Sequence, residues 1–196
     1  RDAAADVNHQ ATPLADRLAQ VYALLQQSRL LEAEQALTLL AQKAPQAPAL
    51  HRARAVAAQM GGRVDAAIDA MRTAVELAPD AAALRLELGQ LLASAERIEE
   101  AIAAFQQATA LQPDLVQAWY FMGMTLYGAR RDAEALPALV RANALAPDQP
   151  QILRAYAETE YGLEHHAEAL ALLERIAASG HVDDPRLPLR LSQCRR

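Results

Sequence analysis

Five histidines, five tyrosines and one cysteine hold most of the chain's capacity for chemistry. Catalysis needs such groups in combination, and the combinations are missing. The sequence has no G-x-G-x-x-G turn, no Walker loop, no H-E-x-x-H helix, no cysteine pair and no EF-hand loop. His165-His166 comes nearest to a metal pair. Neighbours on a helix point about 100° apart, so the two rings cannot grip one ion from one face. A solvated turn between helices is their expected setting. His9, His51 and His181 lack partners at ligand spacing, and Ser94 and Cys194 have no identifiable base. The expectation is a chain without catalytic, cofactor or metal sites. A column of cations is more regular: Arg29, Arg63, Arg97 and Arg131 recur every 34 residues, with His165 as fifth member. It would form either a basic rail for an anionic partner or a set of local contacts at helix ends. Flanking Asp and Glu residues favour the local reading.

Composition narrows what can position these groups. Hydrophobic residues make up 53% of 196, and 47 of them are Ala, while Gly is limited to 7 and aromatics to 4%. Ala is the best helix former, and strand formers are thin, which argues against sandwiches, barrels and doubly wound sheets. The net charge of −5 speaks against a dedicated nucleic-acid binder. A single cysteine excludes an internal disulfide framework. No stretch approaches 18 apolar residues without a charge, so membrane insertion is not expected. The sequence starts at Arg1 without a signal-peptide pattern. The expected compartment is the cytoplasm, with the periplasm as the alternative because a cleaved leader leaves no trace.

A repeat sets the architecture. Pro45, Pro79, Pro113 and Pro147 lie 34 residues apart, and Asp follows the last three at Asp80, Asp114 and Asp148. Ala33, Ala67, Ala101, Ala135 and Ala169 share the period, as do Leu37, Met71, Phe105, Leu139 and Leu173. A small-residue column runs through Ala55, Gly89, Gly123 and Ala157, preceded in register by Val21. Each period has room for two helices of about 13 residues, roughly 20 Å long. Leu84, Leu88, Leu91 and Leu92 follow one helical face, and so do Ile98, Ala101, Ile102, Phe105, Ala108 and Leu111. The small column belongs where paired helices cross, with Phe105 or Leu139 filling the hollow beside it. Gly61-Gly62 is a stop signal. Each Pro-Asp ends one helix and offers an Asp cap to the next. Thr12-Pro13 and Asp184-Pro185 read as starts near 13 and 185. Pro137 falls inside a helix, lacks the N–H that would bond the Ala133 carbonyl, and predicts a kink or a late start.

These columns resemble the tetratricopeptide repeat, a 34-residue unit with Trp, Leu-Gly, Tyr, Ala, Phe, Ala and Pro at fixed offsets. Leu88-Gly89, Ala101, Phe105, Ala108 and Pro113 occupy those places in one unit. Trp119, Met122-Gly123, Ala135, Leu139, Ala142 and Pro147 do so in the next. The resemblance implies an all-α, right-handed α-solenoid of five repeats, 14–47, 48–81, 82–115, 116–149 and 150–183. Residues 1–13 would form an N-terminal tail. Residues 184–196 would form a capping helix or the first helix of a truncated sixth repeat.

In such solenoids the first helix of each unit lines a concave groove at repeat positions 2, 5, 9 and 12. Here that face includes Leu18, Tyr22 and Leu25, then Arg52, then Gln90, then Tyr120, Met124 and Tyr127, then Arg154, Glu158 and Tyr161. Four of the five tyrosines thus share the groove face, while Tyr156 and Trp119 fall at packing positions. Tyr joins apolar area to a polar tip, which suits binding interfaces. The resemblance therefore implies a protein-interaction scaffold with a groove for a peptide or partner segment, lined by Tyr22, Arg52, Gln90, Tyr120, Met124, Tyr127, Arg154, Glu158 and Tyr161 and centred on the fourth and fifth units. Chaperone-binding members hold a terminal carboxylate with a Lys–Asn pair, where this chain has Leu18 and Tyr22, so that mode is not expected. An open solenoid end offers a route to homo-oligomers. The second reading is the N-terminal recruiting domain of a larger bacterial enzyme of sulfotransferase, protein hydroxylase or glycosyltransferase type.

Overall fold

The computed structural model describes residues 13–178, together with Ser192 and Cys194. Among these residues the chain is all-α, with ten helices and no strand. They are α1 (Leu14–Gln26), α2 (Leu30–Lys43), α3 (Pro48–Met60), α4 (Val64–Leu77), α5 (Ala82–Ser94), α6 (Ile98–Leu111), α7 (Val116–Gly128), α8 (Asp132–Leu145), α9 (Pro150–Gly162) and α10 (His166–Ala178). Odd-numbered helices are the A helices of successive pairs, and even-numbered ones are the B helices. None is long and apolar enough to cross a membrane. Two compact units divide after Leu84, inside α5.

In the first unit α1 packs on α2 and α3, and α3 on α4. Its core joins Leu18, Val21 and Leu25 to Leu37, Leu40 and Leu50. Leu18 and Leu25 therefore do not face a groove. α1 turns the face through Leu18, Val21 and Leu25 onto α2 and α3, and only Tyr22 of the expected trio stays half-buried. In the second unit α7 packs between α6 and α8, and α9 between α8 and α10. Phe105, Leu139, Leu153 and Ile176 are fully buried there. Cys194 is buried too, in a cluster with Leu153, Leu173 and Ile176.

The small column does what its register requires. A Cβ built on Gly89 would lie 2.5 Å from the Phe105 ring, and one on Gly123 would lie 2.6 Å from Leu139 Cγ. Contacts that short do not occur, so the A and B helices meet at these glycines.

Each A helix ends in the same turn. Ser28, Gly62, Glu96, Arg130 and Glu164, spaced by 34, have φ between 59° and 71°. The next residue's N–H bonds five residues back at 2.9 Å, from Arg29 to Leu24, Arg63 to Ala58, Arg97 to Leu92, Arg131 to Leu126 and His165 to Glu160. This is the Schellman closure. Gly62 is the one glycine in the set.

Two expected details differ. The residues before α7 and α9 are Leu115 and Gln149, and neither helix has a side-chain cap bond. Asp114 and Asp148 stand one position too early. Asp148 instead takes a left-handed φ of 64° and pairs with Arg175 at 2.6 Å. Likewise, α8 does not start late. It begins at Asp132 and keeps the 14 residues of α2, α4 and α6 around Pro137. Ala133 and Pro137 are both exposed, so water can serve the carbonyl that the proline leaves without a donor. The start expected near 13 falls at Leu14, directly after Pro13, and the start expected near 185 lies outside the described residues.

Two substitutions check the crossing and the turn with opposite signs. Gly89→Ala should destabilise the fold by about 1–3 kcal/mol through overpacking against Phe105. Glu96→Gly should stabilise it by about 0.5–1 kcal/mol by relieving the left-handed residue. Urea unfolding measures both.

Candidate functional site

The periodic arginines are spent on carboxylates. Arg29 grips Glu32 through Nε at 2.7 Å and Nη2 at 2.5 Å. Arg97 grips Glu100 at 2.7 and 3.0 Å. Arg131 holds Glu134 at 2.8 and 2.7 Å, and its Nη1 reaches Glu99 at 2.6 Å. Arg63, whose third following residue is Ala66, turns to Glu34. The hydrogen bonds from Arg29 and Arg131 hold the Glu32 and Glu134 carboxyls below the usual range. Exposed pairs of this kind add little to stability, because water and salt screen them. The column is a set of local clamps and not a free basic rail.

The fifth member departs from this pattern. His165 Nδ1 lies 2.7 Å from Glu160 Oε2, and Glu160 is only 4% exposed. A buried carboxylate needs such a partner. His165 is therefore more than a solvated turn residue. His166 opens α10 and lies against Tyr161, with ring centroids 5.2 Å apart. Among the described residues no three His, Cys, Asp or Glu side chains converge for a metal.

The expected groove residues can now be placed. In the first unit Arg52 lies over the Tyr22 ring, 5.9 Å from its centroid, so these two do meet in a cation–π contact. In the second unit Gln90 is half-buried on α5, while Tyr120, Met124 and Tyr127 are half-buried on α7. Glu158 and Tyr161 are half-buried on α9, and Arg154 is exposed. α7 and α9 touch, and a cleft of about 390 Å³ opens at their C-terminal ends. Tyr127, Glu158 and Tyr161 line it. Tyr120, Met124 and Arg154 do not. Tyr120 lies edge-on to Phe121 at 5.3 Å, and Phe121 stacks on Phe105 at 6.4 Å.

Four further lining residues escaped the helical-face rule: Arg130, Gly162, Glu164 and His166. Three of them lie in the A-to-B turns or just beyond, where a rule for helix interiors has no reach. The left-handed turns supplied the missing signal, since Arg130 and Glu164 occupy equivalent positions in successive turns. Two phenols, two carboxylates, a guanidinium and an imidazole thus share one open cleft. Such a set can hydrogen-bond and orient a peptide's polar groups, but it holds no activated nucleophile.

Each unit is built from helix-turn-helix pairs, and the second has a polar, aromatic cleft between neighbouring A helices, the build of a repeat protein. Two family profiles described as tetratricopeptide repeat match residues 18–82 and 58–124. Together they span more than half of the sequence, and the chain belongs to the tetratricopeptide-repeat family. Solved structures share the fold at low identity. A Pseudomonas aeruginosa PilF structure aligns over 91% of this chain and 82% of its own, with TM-score 0.78 and 21% identity. MamA from Desulfovibrio magneticus RS-1 aligns over 87% and 97%, with TM-score 0.75 and 16% identity. YrrB, titled a TPR protein with an unusual peptide-binding site, aligns over 90% of both chains, with TM-score 0.72 and 19% identity. No curated protein matches the sequence.

Tyr156 generates a prediction about pH. Burial and the nearby negative charge of Glu160 raise its phenol above the ordinary value of 10. The proton is thus held more tightly in the folded state. Its stabilising contribution is complete below about pH 10 and is lost as pH rises through the folded value. In an absorbance titration at 295 nm, Tyr156→Phe should remove a tyrosine that ionises above the ordinary phenol value, and the wild type should lose stability in that alkaline window.

Proposed function

We propose that the chain is a protein-interaction scaffold that binds a peptide or partner segment along its A helices. In the second unit Tyr127, Glu158 and Tyr161 form the centre of the site, with Gln90, Tyr120, Met124 and Arg154 contributing from the A helices of that unit; in the first unit Tyr22 and Arg52 form a contact surface of their own. The meeting of Tyr127, Glu158 and Tyr161 in one open cleft carries this reading. Half-buried tyrosines provide rigid apolar area with a polar tip, and a carboxylate beside them can fix a ligand's register. The peptide-binding site named for YrrB, on a chain of the same fold, supports the same assignment. Five repeats, 14–47, 48–81, 82–115, 116–149 and 150–183, form the scaffold.

Peptides selected from a displayed library on the whole chain test the proposal. Tyr127→Ala with Tyr161→Ala should weaken the selected peptides by about 30-fold or more, the loss for a hot spot of roughly 2 kcal/mol. Thermal unfolding should stay cooperative at a lowered midpoint, because Tyr161 also packs on the α9–α10 core and against His166. Unchanged affinity in the double variant would overturn the assignment.

A further inference from the structure

Two residues of the second unit remain without a role: Trp119, only half-buried, and Pro137, exposed within α8. They meet. A cleft of about 390 Å³ runs between α6 and α8 over α7, and Ile102, Trp119, Met122, Leu126 and Pro137 line it. Trp119 is held in place there, with its Nε1 donating to the Pro113 carbonyl at 3.0 Å.

The first unit contains the same cleft two periods earlier in the sequence. The residues in register are Glu34, His51, Arg54, Ala58 and Asp69, and all five line it. His51 even repeats the tether, with Nε2 2.8 Å from the Pro45 carbonyl. Backbone architecture is thus shared, while four polar residues and an alanine become five apolar ones. Pro137 replaces an aspartate that a helix tolerates far better. A residue unfavourable to its own helix, lining the same cleft as a half-exposed tryptophan, argues for a surface role and not a folding one.

The rim indicates what that surface accepts. Glu99 and Glu134 border the cleft against one guanidinium, Arg131. Arg131 takes Glu99 through Oε1, and the Glu99 side chain remains 80% exposed. Its other oxygen can accept from a basic group. On α7, Trp119, Met122 and Leu126 lie on a different face from Tyr120, Met124 and Tyr127.

We propose that this cleft is a second binding site, separate from the tyrosine cleft, for a short segment carrying an apolar anchor beside an arginine or lysine. The test uses a displayed library of 12-residue peptides selected on the whole chain. Trp119 is the chain's single tryptophan, so its emission reports on the cleft directly. Peptides pairing an apolar residue with Arg or Lys should shift that emission. Their affinity should fall at least about tenfold in Pro137→Ala and in Met122→Arg, and stay within about twofold in Tyr161→Ala. Pro137→Ala should at the same time raise Tm by about 2–8 °C, because the helix regains an N–H. A variant that is more stable yet binds worse cannot be explained by a purely structural role. The proposal is overturned if no selected peptide shifts Trp119 emission, if those that do bind Pro137→Ala as tightly as wild type, or if Tyr161→Ala abolishes their binding.

Discussion

An A helix can lie this close to its B helix only where its own side chain nearly vanishes. Gly89 under the Phe105 ring and Gly123 under Leu139 mark that crossing, and no Cβ fits at either place. The crossing commits one face of each helix to its partner. On α7 it fixes Gly123 inward, which leaves Tyr120, Met124 and Tyr127 on one side and Trp119 on another. Both clefts of the second unit are consequences of that close approach.

The turn between paired helices imposes the second constraint. One residue must enter the left-handed region so that the next N–H can close the A helix. Four of the five turns do this without glycine, at a cost of roughly 1–2 kcal/mol each. The residue that closes the turn also begins the B helix, and there it is Arg29, Arg63, Arg97 or Arg131. Its N–H ends one helix while its guanidinium clamps a glutamate. This double duty accounts for the regularity of the arginines without any outside ligand. His165 keeps the backbone duty and exchanges the surface clamp for the buried Glu160.

The fold was legible because its causes are periodic. Proline, alanine and glycine columns each answer to one recurring contact, and one period of 34 brings them into register. Departures arose where a local rule met a neighbour. Asp114 and Asp148 looked like caps, but the helices start one residue later, and Asp148 found Arg175 instead. Leu18 and Leu25 fit the groove offsets, yet α1 uses that face for its core. Pro137 suggested a kink or a delayed start, and the start is not delayed, because the carbonyl left without a donor falls on an exposed stretch that water can reach. For the tyrosine cleft, helical spacing found Tyr127, Glu158 and Tyr161. It could not find Arg130, Glu164 or His166, whose positions follow from the turn.

A repeat separates the residues that specify its fold from those free to vary. The two clefts lined by His51 and Trp119 make the separation visible, since register and tether agree while chemistry reverses. The same logic explains how chains only 16–21% identical retain TM-scores of 0.75–0.78. Shared columns are enough to set the backbone, so the backbone cannot say what is bound. That information resides where a unit breaks its own pattern. Tyr161 against His166, Glu160 under His165, and Trp119 beside a proline that its helix would do better without are the places where this chain differs from its own repeat.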